Sequence, residues 1–513
     1  MRFLQRSFRR LLGGLDAILA RLYGWERNPI HQAGTVANAM LLVLLGTGLY
    51  LVFFYRVGAP ADSVARLAAD PWLGSWIRTL HRYATDLFVI AAVLHAGRMF
   101  AQDRSWGPRT LAWMSGLFLV GAGMVCAWTG FVMVWDSFGE RLALEGGRLL
   151  DVLPIFSEPL SRIFAGDGPV PNAFFFVNLF VHIALPLGLG VGLWLHVSRL
   201  ARPVLLPPKR LLWAVIGALT VASVLVPAPL GPAADPLRLA PSTPLDVVVA
   251  WWLPLSERVP AGLAWGAMLG ATLLALLVPR LTRRSRVASW APSTVDTRLC
   301  TGCNQCPQDC PWEAITMVAR DDDRPTLVAR VDPSLCVSCG ICAGSCAPMG
   351  VGPPGRSGRD QLTDLRDIGV RALARVTPMP PVAVCCVQAP EAHLAALRAR
   401  GAQVQLVPCV GNLHSSVVEL LIRSGAPGVM VGGCPPRDCV GREGPKWLSE
   451  RLFNDREAEL QPRVDRRRVR IATLAPGDLA GTVAAYEQFA RGLADLAPPE
   501  VEPNVAIEAL CDS

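Results

Sequence analysis

Long apolar stretches, separated by short polar segments, dominate the first 280 residues of this 513-residue chain. A helix needs about 20 apolar residues to cross the hydrocarbon core of a bilayer. Six stretches approach this length, and they lie at 33–54, 78–100, 109–134, 173–199, 210–227 and 260–280. The fifth is the shortest. The pattern predicts an all-α transmembrane helical bundle of about six spans over residues 33–283.

A different pattern follows the bundle. From residue 381, short apolar runs alternate with stretches of helical period, which predicts a small α/β domain. The runs lie at 381–387, 402–408, 427–432 and 468–473, and the helical stretches lie at 391–400, 414–423, 446–454 and 479–495. The predicted boundaries are 1–32 for an amphipathic N-terminus, 284–296 for a polar linker, 297–348 for a duplicated cysteine-rich domain, 349–380 for a connector, 381–495 for the α/β domain and 496–513 for a loose tail.

The distribution of charged residues predicts how the chain is oriented in the membrane. Arginines such as Arg98, Arg202 and Arg280 gather at the ends of alternate spans, whereas the loop 136–172 is acidic. The positive-inside rule therefore predicts a multi-pass protein of the inner (cytoplasmic) membrane, with both termini and the cysteine-rich domain in the cytoplasm. The N-terminus lacks a signal-peptide core and is expected to be retained on that face. The net charge of +8 reflects this topology and does not indicate nucleic-acid binding.

Four of the seven histidines lie inside predicted spans. His81 and His95 are fourteen residues apart on span two, and His182 and His196 are fourteen apart on span four. Fourteen residues are nearly four helical turns, so each pair lies on one helix face, about 21 Å apart. The spacing pairs His81 with His182 near the outer side and His95 with His196 near the cytoplasmic side. Imidazole is an axial ligand of haem iron; polar residues satisfied by neighbouring helices are the alternative, which their cost in a membrane disfavours.

The sequences around these histidines resemble cytochrome b of bc1 and b6f complexes. Residues 74–100 resemble its second helix and residues 177–203 its fourth, including Pro186. The resemblance implies two b haems, an outer one on His81 and His182 and an inner one on His95 and His196. Glycines on spans one and three are expected to let haem approach the backbone, with helix packing as the alternative: Gly46, Gly48, Gly121 and Gly123.

The chain departs from the cytochrome b pattern at two places. Val134 stands where the family has a proline after its third helix. The family's quinol-oxidising Pro-Glu-Trp-Tyr motif should fall near 248–254, but Val248 and Val249 occupy its proline and glutamate positions. That glutamate is thought to accept a quinol proton, so its absence disfavours an outer quinol site. A quinone site beside the inner haem is the expectation instead.

Two cysteine runs at 300–310 and 336–346 have the spacing of bacterial two-cluster ferredoxins. In such proteins the fourth cysteine of each run binds the other cluster. The spacing therefore predicts two [4Fe–4S] clusters, one on Cys300, Cys303, Cys306 and Cys346 and one on Cys336, Cys339, Cys342 and Cys310. Zinc sites use paired CxxC units without these third and fourth cysteines, and disulfides suit a cytoplasmic domain poorly.

Five cysteines of the last domain follow its short apolar runs, and in an α/β domain such positions converge at one sheet edge: Cys385, Cys386, Cys409, Cys434 and Cys439. Residues 406–439 resemble the delta subunit of methyl-viologen-reducing hydrogenase. The resemblance implies a [2Fe–2S] cluster and a heterodisulfide-reductase-like flavoprotein as partner. The family usually has a further cysteine at the positions of residues 387–390, and this chain lacks it. Four of the five cysteines are expected to be the ligands, namely Cys386, Cys409, Cys434 and Cys439, and Cys385 could replace one of them. His31, His393 and His414 are expected to be surface residues, Cys126 to face lipid or core, and Cys511 to lie in the tail.

These sites predict a membrane electron-transfer subunit that links a cytoplasmic flavoprotein or dehydrogenase subunit to quinone. No strand–GxGxxG–helix unit indicates hydride chemistry, so whether the chain is itself an enzyme stays open. One alternative is a bc-type bifurcating quinol oxidase. The other is a membrane anchor and docking module whose haems carry no electrons. A homodimer is expected only by analogy with cytochrome b relatives.

Overall fold

A computed structural model of the chain describes residues 2–102, 104–106, 109–154, 157–164, 169–198, 204–235, 246–282, 291–322, 324–364, 380–436 and 438–499. The chain divides into two compact units. The first contains Met1–Leu15, Glu26–Arg199 and Pro203–Arg283, and the second contains Asp16–Trp25, Leu200–Arg202 and Arg284–Ser513. The predicted tail beyond 499 with Cys511, residue 283, residues 284–290 of the linker and residues 365–379 of the connector lie outside the described residues.

The part of the chain up to residue 282 is helical where the structure describes it. Its described helices, numbered in chain order from the N-terminal helix, are α1 (Arg2–Tyr23), α2 (Ala33–Val52), α3 (Pro60–Ala69), α4 (Gly74–Ala101), α5 (Thr110–Val134), α6 (Ser137–Leu150), α7 (Asn172–Ser198), α8 (Lys209–Leu225), α9 (Leu253–Arg258) and α10 (Ala261–Thr282). Five of them are long and apolar enough to cross a membrane: α2, α4, α5, α7 and α10. The predicted fifth span corresponds to α8, which has only 17 residues. The protein is therefore an integral membrane protein, and the count of six spans stays a prediction.

Small side chains allow the long helices to pack closely. On the α2–α4 contact, Met40 and Ala84 are fully buried among further alanines of both helices.

At the end of α5, Trp135 adopts a left-handed backbone conformation with φ 53° and packs its ring on Phe164 and Phe175. The Asp136 carboxylate then caps α6 by accepting a 2.9 Å hydrogen bond from the Gly139 N–H. This turn fixes the direction in which the chain leaves the bundle.

The cysteine-rich part of the second unit contains two antiparallel strand pairs. Its strands are β1 (Thr294–Val295), β2 (Ile315–Val318), β3 (Val328–Val331) and β4 (Val351–Gly352), with short helices α11 (Gln305–Asp309) and α12 (Ile341–Gly344) between them. β1 pairs with β4, and β2 pairs with β3. β1 falls inside the predicted linker and β4 inside the predicted connector, so this module extends a few residues beyond 297–348 on both sides. The helix α13 (Gly358–Asp364) follows it.

The C-terminal part is a four-stranded parallel sheet covered by helices. Its elements are β5 (Val382–Cys386), α14 (Glu391–Ala399), β6 (Gln403–Val407), α15 (Ser415–Arg423), β7 (Val429–Gly433), α16 (Gly444–Phe453), β8 (Val469–Thr473) and α17 (Leu479–Ala494). The strand order is β6-β5-β7-β8, and each element lies within about two residues of its predicted run. Because the strands are parallel, their carboxyl ends lie at one edge of the sheet.

Candidate cofactor sites

The outer pair of membrane histidines faces across the bundle. The imidazole rings of His81 on α4 and His182 on α7 have centroids 6.3 Å apart and planes inclined by 56°. Imidazole nitrogens bind transition metals at about 2 Å, so one iron atom fits between the two rings. The second pair, His95 and His196, lies fourteen residues further along the same two helices.

Neighbouring helices fix the tautomer of three of these rings. His182 Nδ1 donates to the Cys126 carbonyl at 2.9 Å. The Thr47 hydroxyl donates its own proton to the Val43 carbonyl, so it accepts from His81 Nδ1 at 2.8 Å.

The Ser115 hydroxyl likewise donates to the Leu111 carbonyl and accepts from His196 Nδ1 at 2.9 Å. In His81, His182 and His196 the Nδ1 atom therefore carries the proton, and the Nε2 lone pair is the one available for a metal. Metal-binding histidines are oriented by this kind of outer hydrogen bond.

A glycine lies against each of the four rings. A Cβ added to Gly34 would lie 2.8 Å from His95, one on Gly48 3.3 Å from His81, one on Gly116 3.2 Å from His196 and one on Gly130 2.9 Å from His182. These distances are shorter than ordinary contacts, so the rings occupy space that only glycine leaves. At each of the four rings, the missing side chain of a glycine therefore leaves room for a buried imidazole and for a macrocycle bound to it.

The sequence identified only one of these four glycines. Gly48, one of the glycines expected to let haem approach the backbone, lies against the His81 ring. A Cβ on Gly46 or Gly121 would meet nothing within 4 Å, and one on Gly123 would meet Phe88. The sequence analysis missed Gly34, Gly116 and Gly130. It also missed Thr47, Ser115 and Thr129, whose hydroxyl lies 3.1 Å from His182 Nδ1. The signal was present: hydroxyl–glycine pairs at 47–48, 115–116 and 129–130, with glycines fourteen residues apart on each helix.

Asp246 lies two residues before the altered quinol motif. Both of its oxygens are engaged: Oδ1 accepts from the N–H groups of Val248 at 2.9 Å and Val249 at 2.8 Å, and Oδ2 pairs with Arg82. Arg82 also pairs with Asp86. A carboxylate held in this way caps a turn and neutralises an arginine. It is poorly suited to replace the missing glutamate as a proton acceptor.

The eight ferredoxin cysteines surround two cavities. The first is lined by four cysteines, namely Cys300, Cys303, Cys306 and Cys346. The second is lined by the other four, namely Cys310, Cys336, Cys339 and Cys342. The fourth cysteine of each run therefore lies at the cavity of the other run. Among the described residues, no three His, Cys, Asp or Glu side chains converge on a point suited to a single metal ion.

The protonation of these thiols depends on what the cavities hold. Burial raises the pKa of Cys342 to about 12 and raises the pKa of Cys306 and Cys339 further, because burial disfavours the charged thiolate. Cluster ligands must be thiolates. These side chains fit iron, whose positive charge replaces the protons on binding.

Four of the five C-terminal cysteines come together at the carboxyl edge of the sheet. Cys386 and Cys434 have Sγ atoms 3.6 Å apart, and this contact lowers the pKa of Cys386 to about 7. The Gly444 backbone packs against both remaining thiols, since a Cβ there would lie 2.7 Å from Cys409 Sγ and 3.4 Å from Cys439 Sγ.

Cys385 points the other way, because neighbouring residues of a strand face opposite sides of a sheet. It packs in the core on the far face, with Met430 and Leu474. The substitute ligand considered from the sequence is therefore remote from the other four thiols.

The expectation that three further histidines are surface residues is wrong. His414 and His393 are each only 2% exposed, and His393 bonds Thr482 Oγ1 at 2.8 Å. His414 Nδ1 accepts from the Ser416 N–H at the start of α15, so its Nε2 donates to the Cys346 carbonyl at 3.2 Å. His31 is partly buried, with Nδ1 2.9 Å from Arg98 Nη1. Cys126 lies beside His182, 3.6 Å from its Nδ1.

Family models match three consecutive parts of the chain. Residues 26–203 match Cytochrome b/b6/petB, residues 299–350 match the 4Fe-4S dicluster domain, and residues 382–497 match the methyl-viologen-reducing hydrogenase, delta subunit. These matches confirm all three resemblances and their order.

Two individual proteins are similar to parts of the chain. A cytochrome b6 from Bigelowiella natans is 26% identical over 190 residues, which are 36% of this chain and 88% of that protein. A chain of a solved structure described as a hyperthermophilic respiratory Complex III covers 49% of this chain and 75% of its own length, at 18% identity and a TM-score of 0.39.

Proposed function

We propose that this membrane electron-transfer protein links a cytoplasmic flavin or iron–sulfur oxidoreductase to the quinone pool, as a subunit of a quinone-linked oxidoreductase complex. The observation that carries the proposal is the set of membrane histidines, three of which have the Nδ1 proton bound by a neighbouring helix and Nε2 left for iron. A merely structural histidine would not need this repeated arrangement with glycine beneath the ring.

The membrane residues would hold two b haems, the outer on His81 and His182 and the inner on His95 and His196. Bound there, haem supplies one-electron transfer. The hydroxyls of Thr47 and Ser115 would orient the rings and strengthen the ligands, as outer hydrogen bonds do at metal sites. A quinone site near the inner pair completes the proposal.

The cytoplasmic residues would hold the iron–sulfur groups. The two ferredoxin cavities are the proposed sites of two [4Fe–4S] clusters, with the crossed ligand sets. Four thiols at the sheet edge are the proposed ligands of one [2Fe–2S] cluster: Cys386, Cys409, Cys434 and Cys439. The delta-subunit match supports a heterodisulfide-reductase-like flavoprotein, or another dehydrogenase subunit, as the partner at residues 381–495. Both termini are proposed to lie in the cytoplasm, and electron flow in either direction fits these sites.

Two alternatives are less well supported. A bc-type bifurcating quinol oxidase needs a proton acceptor at the outer side, and the engaged oxygens of Asp246 do not provide one. A membrane anchor without electron transfer does not need oriented membrane histidines and two four-cysteine cavities. Neither alternative uses all the sites that the chain carries.

The test is purification of the tagged full-length chain from membranes in mild detergent. We expect dithionite-reduced spectra of b-type haem, a haem content of two per chain, iron–sulfur signals, and co-purification of a flavoprotein or dehydrogenase identified by mass spectrometry. Co-purification with Rieske and cytochrome c subunits instead would favour the bc-type alternative. A chain without haem would overturn the proposal.

Gly130 offers a direct test of the outer site. Changing Gly130 to Ala places a methyl group 2.9 Å from His182 Cε1, so the ring must move or the haem must be lost. We expect the haem content to fall toward one per chain, or the spectrum of the outer haem to shift, in a pyridine haemochrome and redox-difference measurement. Gly121→Ala, on the same helix with open space around it, is the matched control and should keep both haems.

A further inference from the structure

The loop that carries Cys439 packs against the wall of the second ferredoxin cavity. A Cβ on Gly441 would lie 3.3 Å from Cys409 Sγ and 3.6 Å from Cys339 Cβ, so both cysteines border the same small space. A Cβ on Gly411 would lie 3.0 Å from Ile341, which also lines that cavity. The thiols of the C-terminal module therefore lie next to the second cavity.

Arg442 lies at this junction and contacts the cavity wall directly. Its guanidinium lies 3.6 Å from the ring centroid of Trp312, and Trp312 lines the second cavity. Its Nη1 donates to the Pro311 carbonyl at 2.7 Å, next to Cys310. The Arg442 backbone has φ 66°, in the left-handed region. A non-glycine residue in this region is strained, and it persists only where its surroundings impose the conformation.

The junction also carries positive charge. The Arg442 guanidinium is charged at neutral pH, as arginine side chains in proteins are. Arg356 adds a second guanidinium, which donates to the Ser338 carbonyl at 3.0 Å, between Cys336 and Cys339. Reducing a cluster adds a negative charge to it, and a nearby cation stabilises that charge in a partly buried site.

We propose that Arg442 is a positioning residue, which holds the loop 439–444 against the second cavity and raises the reduction potential of the [4Fe–4S] cluster bound by Cys310, Cys336, Cys339 and Cys342. This inference rests on the proposed function. If it is correct, electrons pass between the cluster at the second cavity and the cluster held by the C-terminal thiols. Each transfer oxidises one cluster and reduces the other by one electron, and no bond or proton changes.

The test is an EPR-monitored redox titration of the purified full-length chain, with the wild type compared with Arg442→Gln. We expect the midpoint potential of one [4Fe–4S] cluster to fall, while the other [4Fe–4S] cluster and both haems keep theirs. Arg442→Lys keeps the charge and should retain most of the wild-type potential. If Arg442→Gln loses iron, Arg442→Met, which keeps an unbranched chain over Trp312, provides the charge-free variant.

Arg467→Gln is the matched control, because Arg467 is exposed and pairs with Asp465 in its own turn. This change should move no potential. An unchanged midpoint in the Arg442 variants, or a shift confined to the cluster at the first cavity, would overturn the inference while the proposed function stands. A wild-type chain that shows no [4Fe–4S] signal would overturn both.

Discussion

Replacing His95 with alanine should remove the inner haem and stop electron exchange with quinone. Loss of an outer hydrogen-bond partner alone costs about 10–100-fold at a metal site, so loss of the ligand itself should reduce the rate by more than about 100-fold. We expect the haem content to fall from two per chain to one. The rate is measured as oxidation of the dithionite-reduced chain by a soluble quinone analogue.

The controls separate this effect from general damage. His393→Gln changes a histidine of the α/β part, where the ring bonds Thr482, and should keep both haems and the full rate. If His95→Ala retains the wild-type rate, the membrane part is only an anchor and the proposed function is wrong. His81→Ala should remove the outer haem instead, so the two variants should lose different components of the haem spectrum.

Changing Cys346 to serine should destroy the cluster bound mainly by the other cysteine run. Cys346 lies at the cavity of Cys300, Cys303 and Cys306, so that site should lose its iron, about four atoms per chain. Changing Cys310 should have the same effect at the cavity of Cys336, Cys339 and Cys342. Iron analysis and EPR of each variant distinguish the two losses.

Cys385→Ser is the matched control for both variants. Cys385 is a fully buried cysteine of the same unit, but it lies on the far face of the sheet, so its loss should leave every cluster in place. If the Cys346 variant lost the cluster of its own run, the crossed ligand sets would be incorrect. If neither variant lost iron, the ferredoxin cavities would not be cluster sites.

The membrane histidines could be predicted from the sequence because helical geometry alone relates them. Two identical fourteen-residue spacings on parallel helices place four rings at two depths, and no long-range information is needed. The α/β domain could also be predicted from local patterns, because each apolar run corresponds to one strand of its sheet. Cys386 and Cys434 could be placed at one edge because parallel strands end on the same side.

The residues that surround the membrane histidines could not be predicted equally well from the sequence. Which glycine lies beneath a ring depends on how α2 and α5 are rotated and shifted against α4 and α7, and side-chain packing decides this. Gly46 and Gly121 were therefore as plausible as Gly34 and Gly116. Only the repeated hydroxyl–glycine pairs, such as Thr129 and Gly130, would have favoured the correct set.

The sequence also could not predict the contacts between the cysteine-rich module and the C-terminal module. His414 begins an amphipathic helix and was expected on the surface, yet it is buried because the cysteine-rich module packs on it through Cys346. Arg451 is fully buried for the same reason, donating to Ser345 at 3.0 Å and to the Gly411 carbonyl at 2.9 Å. A long charged side chain gives no local sign that another module will cover it.

The division of each membrane site among four helices has a consequence for biogenesis. The proposed ligands come from α4 and α7, while the glycines and hydroxyls next to their rings come from α2 and α5. Translation delivers these helices one after another, and neither site is complete until α7 has entered the lipid. Loading of the two proposed haems would therefore follow insertion of the first four long helices.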